Sequence, residues 1–213
     1  MKIIQVEQNS DEWFEIRKGK ISGSRMGKLI PKRTFEKEIQ NGKLGEMKDE
    51  YYKIIAERIA EDEDDEDPME RGHRLEDEAA KKFEIKTGLK VETTGIWQSD
   101  ENDYIIISPD RVIKNTGNTQ ALEIKCLSSW KHVKALLTNE IPDEYEEQVL
   151  QYFIVNEDLK TLFFALYDPR IKQNELCIIE IHKVSLEAKI ESHKAYQKLL
   201  LKQIEQQIIQ LTF

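Results

Sequence analysis

Two short apolar segments that run into charge constrain this chain most. Tyr104-Ile105-Ile106-Ile107 leads into Ser108-Pro109-Asp110, and Ala121-Leu122-Glu123-Ile124 leads into Lys125. Apolar, β-branched stretches of this length read as strands. Successive strand side chains point to opposite faces. Glu123 and Lys125 therefore share a face, and Ile124 points the other way, into a core. Pairing the two segments as a hairpin lets Asp110 meet Glu123. Two carboxylates with a lysine beside them form a hard-oxygen site for a divalent cation, the equipment of metal-assisted phosphodiester hydrolysis. An isolated Glu-x-Lys would be an ordinary surface ion pair. Charge at the ends of two apolar strands demands a reason, because unpaired buried charge is costly.

The rest of the chain surrounds these strands with helices. Ser10 caps a first helix carrying Trp13 and Ile16, closed by Gly19, and Ser22 starts a second, stopped by Pro31. Residues 32 to 48 are basic and weakly periodic. Tyr51 to Ala60 and Arg74 to Lys86 follow as helices, the second with Leu75, Ala79, Ala80 and Phe83 as a buried stripe and Gly88 past its end. Strands are expected over Val91 to Gln98, Tyr104 to Ser108, Arg111 to Ile113 and Gln120 to Cys126, with turn chemistry at Asn115 to Asn118. Helices over Trp130 to Leu137 and Asp143 to Val155 precede strands over Thr161 to Tyr167 and Leu176 to His182. A long amphipathic helix runs from Leu186 to Leu211. No repeat or low-complexity linker divides residues 1–213, which read as a single domain of mixed α/β class with a central mixed β-sheet flanked by helices.

A net charge of −9 argues at first against a nucleic-acid partner. Glu61-Asp62-Glu63-Asp64-Asp65-Glu66-Asp67 supplies seven of those charges and reads as a solvated loop ended by Pro68, leaving only −2 for the remainder. A local basic groove is compatible with that balance. No apolar run approaches the roughly 20 residues of a membrane span, and the amino terminus lacks the apolar core of a secretory signal. Two cysteines, Cys126 and Cys177, do not make a disulfide framework and suit a reducing cytoplasm. Cys126, directly after the lysine, reads as a small core thiol near a strand end.

Phosphodiester cleavage needs a nucleophilic water, balanced phosphate charge and a stabilised leaving oxygen. Asp110 and Glu123 suit Mg²⁺ or Mn²⁺, with the Ile124 backbone carbonyl as a further ligand. Lys125 either orients the water as an ammonium or, next to a metal, serves as the base; the sequence leaves both open. Glu76, beside the buried stripe, is within reach as a third carboxylate, although its neighbours Asp77 and Glu78 also suit a solvent-facing glutamate. His73 suits an exposed helix start. Gln148 and Tyr152, four apart, share a helix face. Gln148 and Gln151 can donate to a phosphate or simply lie on the sheet. Arg17, and Ser24 near a helix start, suit a phosphate cradle.

These residues fall into blocks that resemble a known family: Trp13-Phe14-Glu15-Ile16-Arg17 with Gly19 and Ile21-Ser22-Gly23-Ser24; Gly72-His73-Arg74-Leu75-Glu76; Ser108-Pro109-Asp110; Leu122-Glu123-Ile124-Lys125-Cys126; and Gln148-Val149-Leu150-Gln151-Tyr152 with Tyr167-Asp168-Pro169-Arg170. Their order and spacing, from about Gln8 to His182, resemble the phage lambda-type exonucleases, the YqaJ-like viral recombinase family of the PD-(D/E)XK nuclease superfamily. The resemblance implies a restriction-endonuclease-like core. It implies an ATP-independent, Mg²⁺-dependent 5′→3′ exonuclease, with Mn²⁺ as a substitute, that degrades one strand of linear duplex DNA to 5′-mononucleotides and leaves 3′ overhangs. It assigns Glu76, Asp110 and Glu123 to the metal and Lys125 to catalysis. Arg17, Ser24, Ser108 and Gln151, with Gln148 beside them, fall on the pocket for a 5′-phosphate. It implies a ring-shaped homotrimer, a single-strand annealing partner, and a phage or prophage protein in a bacterial cytoplasm. Gly23 and Arg111 replace small residues usual in their blocks. The acidic run is outside the pattern and is expected on an outer rim. No DNA wedge is identifiable between residues 30 and 70, where Lys32, Arg33, Lys37, Lys43 and Lys48 suit backbone contacts. A nicking or structure-specific endonuclease with the same site is the alternative, and a non-catalytic DNA-end-binding protein is the other.

Overall fold

The computed structural model describes residues 49–59, 68–102 and 105–212, with isolated positions at Asp11, Glu12 and Glu15. Trp13, Ile16, Arg17, Ser24, the basic stretch and the run Glu61 to Asp67 lie outside the described residues. The Cα packing divides the chain into two compact units. The first takes its described residues from Met1–His73, Cys126–Glu140 and Leu166–Cys177, and the second from Arg74–Lys125, Ile141–Ala165 and Ile178–Phe213.

In the first unit, helix α1 (Asp49–Ile59) packs on helix α3 (Ser129–Thr138). Tyr52 and Ala56, one turn apart, meet Val133 and Ile171 in a small core edged by Ile55 and Trp130. Asp168 is fully buried and is gripped by Arg170, whose Nε and Nη2 donate to it at 2.7 and 3.0 Å. Burial would raise this carboxyl, but the Arg170 guanidinium overrides that and holds it below the usual range.

Helix α2 (Pro68–Thr87) starts six residues before the expected Arg74. Proline is pre-set for the first helical position, so Pro68 opens this helix rather than only closing the acidic loop. Leu75, Ala79, Ala80 and Phe83 are all buried, as the stripe required. Gly88, at φ +75°, ends the helix with its N–H on the Glu84 carbonyl at 2.9 Å.

The segment expected as one strand over Val91 to Gln98 is two short ones, β1 (Val91–Glu92) and β2 (Trp97–Gln98). They belong to different sheets, because β2 pairs antiparallel with β3 (Ile106–Ile107) in a separate two-stranded ribbon. The main sheet runs β1-β4-β5-β6-β7, with β4 at Arg111–Ile113, β5 at Gln120–Lys125, β6 at Thr161–Tyr167 and β7 at Leu176–His182. The β4–β5 turn uses left-handed backbone at Asn115, Gly117 and Asn118, residues that tolerate it. The Thr119 carbonyl, just before β5, accepts the Lys160 N–H at 2.8 Å, which starts β6 parallel to β5. The return is antiparallel, with Lys183 N–H on the Lys160 carbonyl at 3.0 Å. The sheet is therefore mixed. Every residue of β6 is buried, as a central strand covered on both faces requires.

Helix α3, a 3₁₀ turn (Asp143–Tyr145) and helix α4 (Glu146–Val155) form the crossover, and α5 (Glu187–Thr212) closes the chain. Within the second unit α4 packs against β3 and α5. Among the described residues no helix is long and apolar enough to cross a membrane. Neither cysteine is in a disulfide; Cys177 is buried and Cys126 half-buried.

Candidate active site

The hairpin that brings Asp110 to Glu123 is not the expected one. Within the expected Tyr104–Ile107 strand, Ile106–Ile107 form β3, which pairs with β2, and β4 is the partner of β5. The register Arg111↔Leu122, Val112↔Ala121 places Asp110 opposite Glu123 one step further along. The Ile124 N–H donates to Asp110 Oδ2 at 2.7 Å and fixes that carboxylate on the strand.

Glu123 is 1% exposed. Its Oε1 accepts from Lys125 Nζ at 2.5 Å and from Gln148 Nε2 at 2.6 Å, and its Oε2 accepts from the Tyr152 hydroxyl. Glu123 and Lys125 do share a face, and Ile124 is buried on the other. Lys125 Nζ also lies 5.3 Å from the centre of the Tyr145 ring, which rests on Phe164 at 5.6 Å. Tyr152 meets Trp97 edge-on at 6.3 Å.

The charges explain how these groups titrate. Burial pushes Asp110 up first, the Glu123 charge pushes it further, and together they overcome the Ile124 N–H to bring it to about 7. Burial would lower the Lys125 ammonium, but the Glu123 and Asp110 carboxylates override it and raise its pKa. Burial, then Glu123, drives the Tyr152 phenol upward, so it remains a donor. Lys125 is thus an ammonium facing a carboxylate.

Glu76 projects from α2 toward the start of β4, where its Oε1 accepts from Arg111 Nη1 at 2.6 Å. Among the described residues no group of three or more His, Cys, Asp or Glu side chains is arranged as a metal cage. The donor chemistry nonetheless fits a hard cation. Asp110 and Glu123 are adjacent carboxylates, Asp110 raised first by burial and then by the Glu123 charge, and hard oxygen donors of this kind suit a divalent cation.

The phosphate candidates are partly described. Ser108 is exposed, two residues before Asp110. Gln151 donates to the Ile106 carbonyl at 3.1 Å and accepts from Gln197 at 2.7 Å, which ties it to the strand end that carries Ser108. Gln148 is turned to Glu123 instead. Arg17 and Ser24 lie outside the described residues, as does the His73 side chain. A cleft in the same unit, lined by Trp97, Gln98, Asp100, Glu101, Asn118 and Glu157, contains none of the acids of the site.

Three contributors escaped the sequence reading. Tyr152 was noted only for sharing a face with Gln148. Arg111 stood as a tolerated replacement, although an arginine beside a candidate metal-ligating aspartate is itself a signal. Tyr145 carried none, because a cation–π contact between residues 20 apart has no local pattern.

Solved structures share the fold. An alkaline exonuclease, LHK-Exo from Laribacter hongkongensis, superimposes with a TM-score of 0.56 over 95% of this chain and 100% of that one, at 24% identity. LHK-Exo in complex with dAMP gives 0.55 over the same spans. The uncharacterised protein YqaJ of Bacillus subtilis (strain 168) is 34% identical over 97 residues, a match spanning 45% of this chain and 30% of that protein. The model of the YqaJ-like viral recombinase domain matches residues 12–158, a stretch that holds Glu76, Asp110, Glu123, Lys125, Gln148 and Tyr152, and the chain belongs to that family.

Proposed function

We propose that the chain is a Mg²⁺-dependent, ATP-independent 5′→3′ exonuclease that degrades one strand of linear double-stranded DNA to 5′-mononucleotides and leaves 3′ overhangs for recombination by strand annealing. The observation that carries this reading is the buried Glu123–Lys125 ion pair set opposite Asp110 on adjacent strands. Asp110, Glu123, Glu76 and the Ile124 carbonyl are the groups that would hold the cation, and Mn²⁺ has the same ligand preference. When bound, it supplies Lewis-acid stabilisation of phosphate charge.

The chain's own groups do the rest. Lys125 offsets phosphate charge and orients the attacking water through its ammonium, held at Nζ by Glu123 and Tyr145. Tyr152 and Gln148 fix the Glu123 carboxylate. Ser108, Gln151, Arg17 and Ser24 receive the terminal 5′-phosphate, which sets the bond that reaches the site one nucleotide from the end. A ring-shaped homotrimer threaded on DNA and a single-strand annealing partner complete the proposal, as does a place in the bacterial cytoplasm.

The test is digestion of 5′-phosphorylated, 5′-hydroxyl and circular duplexes with Mg²⁺, with product sizing. Mononucleotides from the phosphorylated linear duplex, slowed on the 5′-hydroxyl duplex, are expected. Cutting of closed circles would replace this reading with a nicking endonuclease. Lys125→Ala is expected to keep end binding and lose cleavage; undiminished digestion by that variant sinks the assignment.

A further inference from the structure

Arg111 directly follows Asp110 and opens β4, yet its side chain is only 11% exposed. Its guanidinium joins three acceptors. Nη1 lies 2.6 Å from Glu76 Oε1 and 2.6 Å from the Asp110 carbonyl, and Nη2 lies 2.6 Å from Asp77 Oδ1. One nitrogen therefore ties a helical glutamate, 35 residues away in sequence, to the backbone of the metal-site aspartate.

We infer that Arg111 is a positioning residue, holding Glu76 at the Asp110 strand end as the third carboxylate of the metal site; the inference rests on the metal-dependent reading above. A glutamate on an open helix face has freely turning torsions, and next to Asp77 and Glu78 it is also repelled. Arg111 removes both problems. Its fork is planar, so anchoring Nη2 on Asp77 fixes where Nη1 points. It takes Oε1 and leaves Oε2, which has no partner among the described residues, to face a cation. Hydrogen-bonded support of this kind orients metal-ligating carboxylates generally. A cation beside a metal site would also repel the metal. Here Asp77 offsets part of the Arg111 charge.

The experiment measures Mn²⁺ alone binding to the full chain, by calorimetry and by the paramagnetic resonance of free Mn²⁺, without DNA. Arg111→Ala is expected to weaken affinity by about 10- to 100-fold. In a Glu76→Gln background the same substitution is expected to change affinity by less than about twofold, because its route to the metal is already gone. An equal loss in both backgrounds, or wild-type affinity in Arg111→Ala, overturns the inference. Arg111→Lys keeps the charge and the buried stem but not the fork, and decides the matter if the alanine variant does not fold: weakened binding supports the inference, and wild-type affinity overturns it. Wild-type protein that binds no Mn²⁺ overturns the metal-dependent reading itself, and this inference with it.

Discussion

Asp110→Asn should make the metal-free protein more stable at alkaline pH while removing a proposed metal ligand. An unfolded chain ionises this carboxyl near 3.8, whereas the folded protein does so near 7. Between those values the folded state holds a proton that the unfolded state has lost. Stability from this group is therefore complete below about pH 4 and is lost as pH rises toward about 7, the reverse of the usual salt-bridged carboxylate. At about 1.36 kcal/mol per pKa step the loss is on the order of 4 kcal/mol, an upper bound because Asp110 keeps some contact with water. That is a large share of the roughly 5–15 kcal/mol of a typical domain. Asparagine keeps the shape, and its amide oxygen still accepts the Ile124 N–H. Urea unfolding of both proteins in chelator at fixed ionic strength, from about pH 4.5 to 8.5, gives a difference curve in which other shared titrations cancel. The wild type should lose ground to the variant from about pH 4.5 to about 7 and run parallel to it above that. Mg²⁺ added at the alkaline end should restore the wild type more than the variant. Parallel pH profiles for the two proteins would refute the account of Asp110 as a carboxylate raised by burial and then by the Glu123 charge.

Three further outcomes are expected. Tyr152→Phe keeps the ring against Trp97 but strips a donor from a buried carboxylate, and urea unfolding should register a loss of about 1.5–3 kcal/mol. Tyr145→Leu removes the π face under Lys125 and should lower turnover on linear duplex by about 2- to 30-fold, the equivalent of about 0.5–2 kcal/mol, with Tyr145→Phe near wild type. Arg170→Ala strands the fully buried Asp168 without its cation and should cost about 3–5 kcal/mol in chemical unfolding, part of it recovered by adding Asp168→Asn.

What the sequence made legible was whatever a single period or residue type decides. Strands β6 and β7 were bounded to the residue because long apolar, β-branched runs admit no other layer. The α2 stripe and the Asn-rich turn were equally plain. Pairing was harder. Tyr104–Ile107 and Arg111–Ile113 are both apolar, both close to Asp110, and either could reach β5. Loop length does not choose between them, and the choice fell to β2, which gives β3 a partner of its own. The site followed the same division. Glu123 and Lys125 on one face is a period-2 statement and needed no tertiary knowledge. The hold of Arg111 on Glu76 depends on where a helix lies against a strand, which no local pattern encodes.

The support for Glu123 gathers on one short segment. Tyr145, Gln148 and Tyr152 stand three and then four residues apart, one face of the Asp143–Val155 stretch that Pro142 introduces. Two of them reach Glu123 and the third reaches Lys125, so a single crossover orients both members of the ion pair. An ionised carboxylate offers about four acceptor sites. Among the described residues Lys125, Gln148 and Tyr152 fill three, which keeps the buried charge tolerable. A carboxylate with every acceptor site filled binds nothing more, and a buried one with none filled carries a large desolvation cost. The three donors on Glu123 fall between those limits: the carboxylate is held, with one acceptor site that no described residue fills.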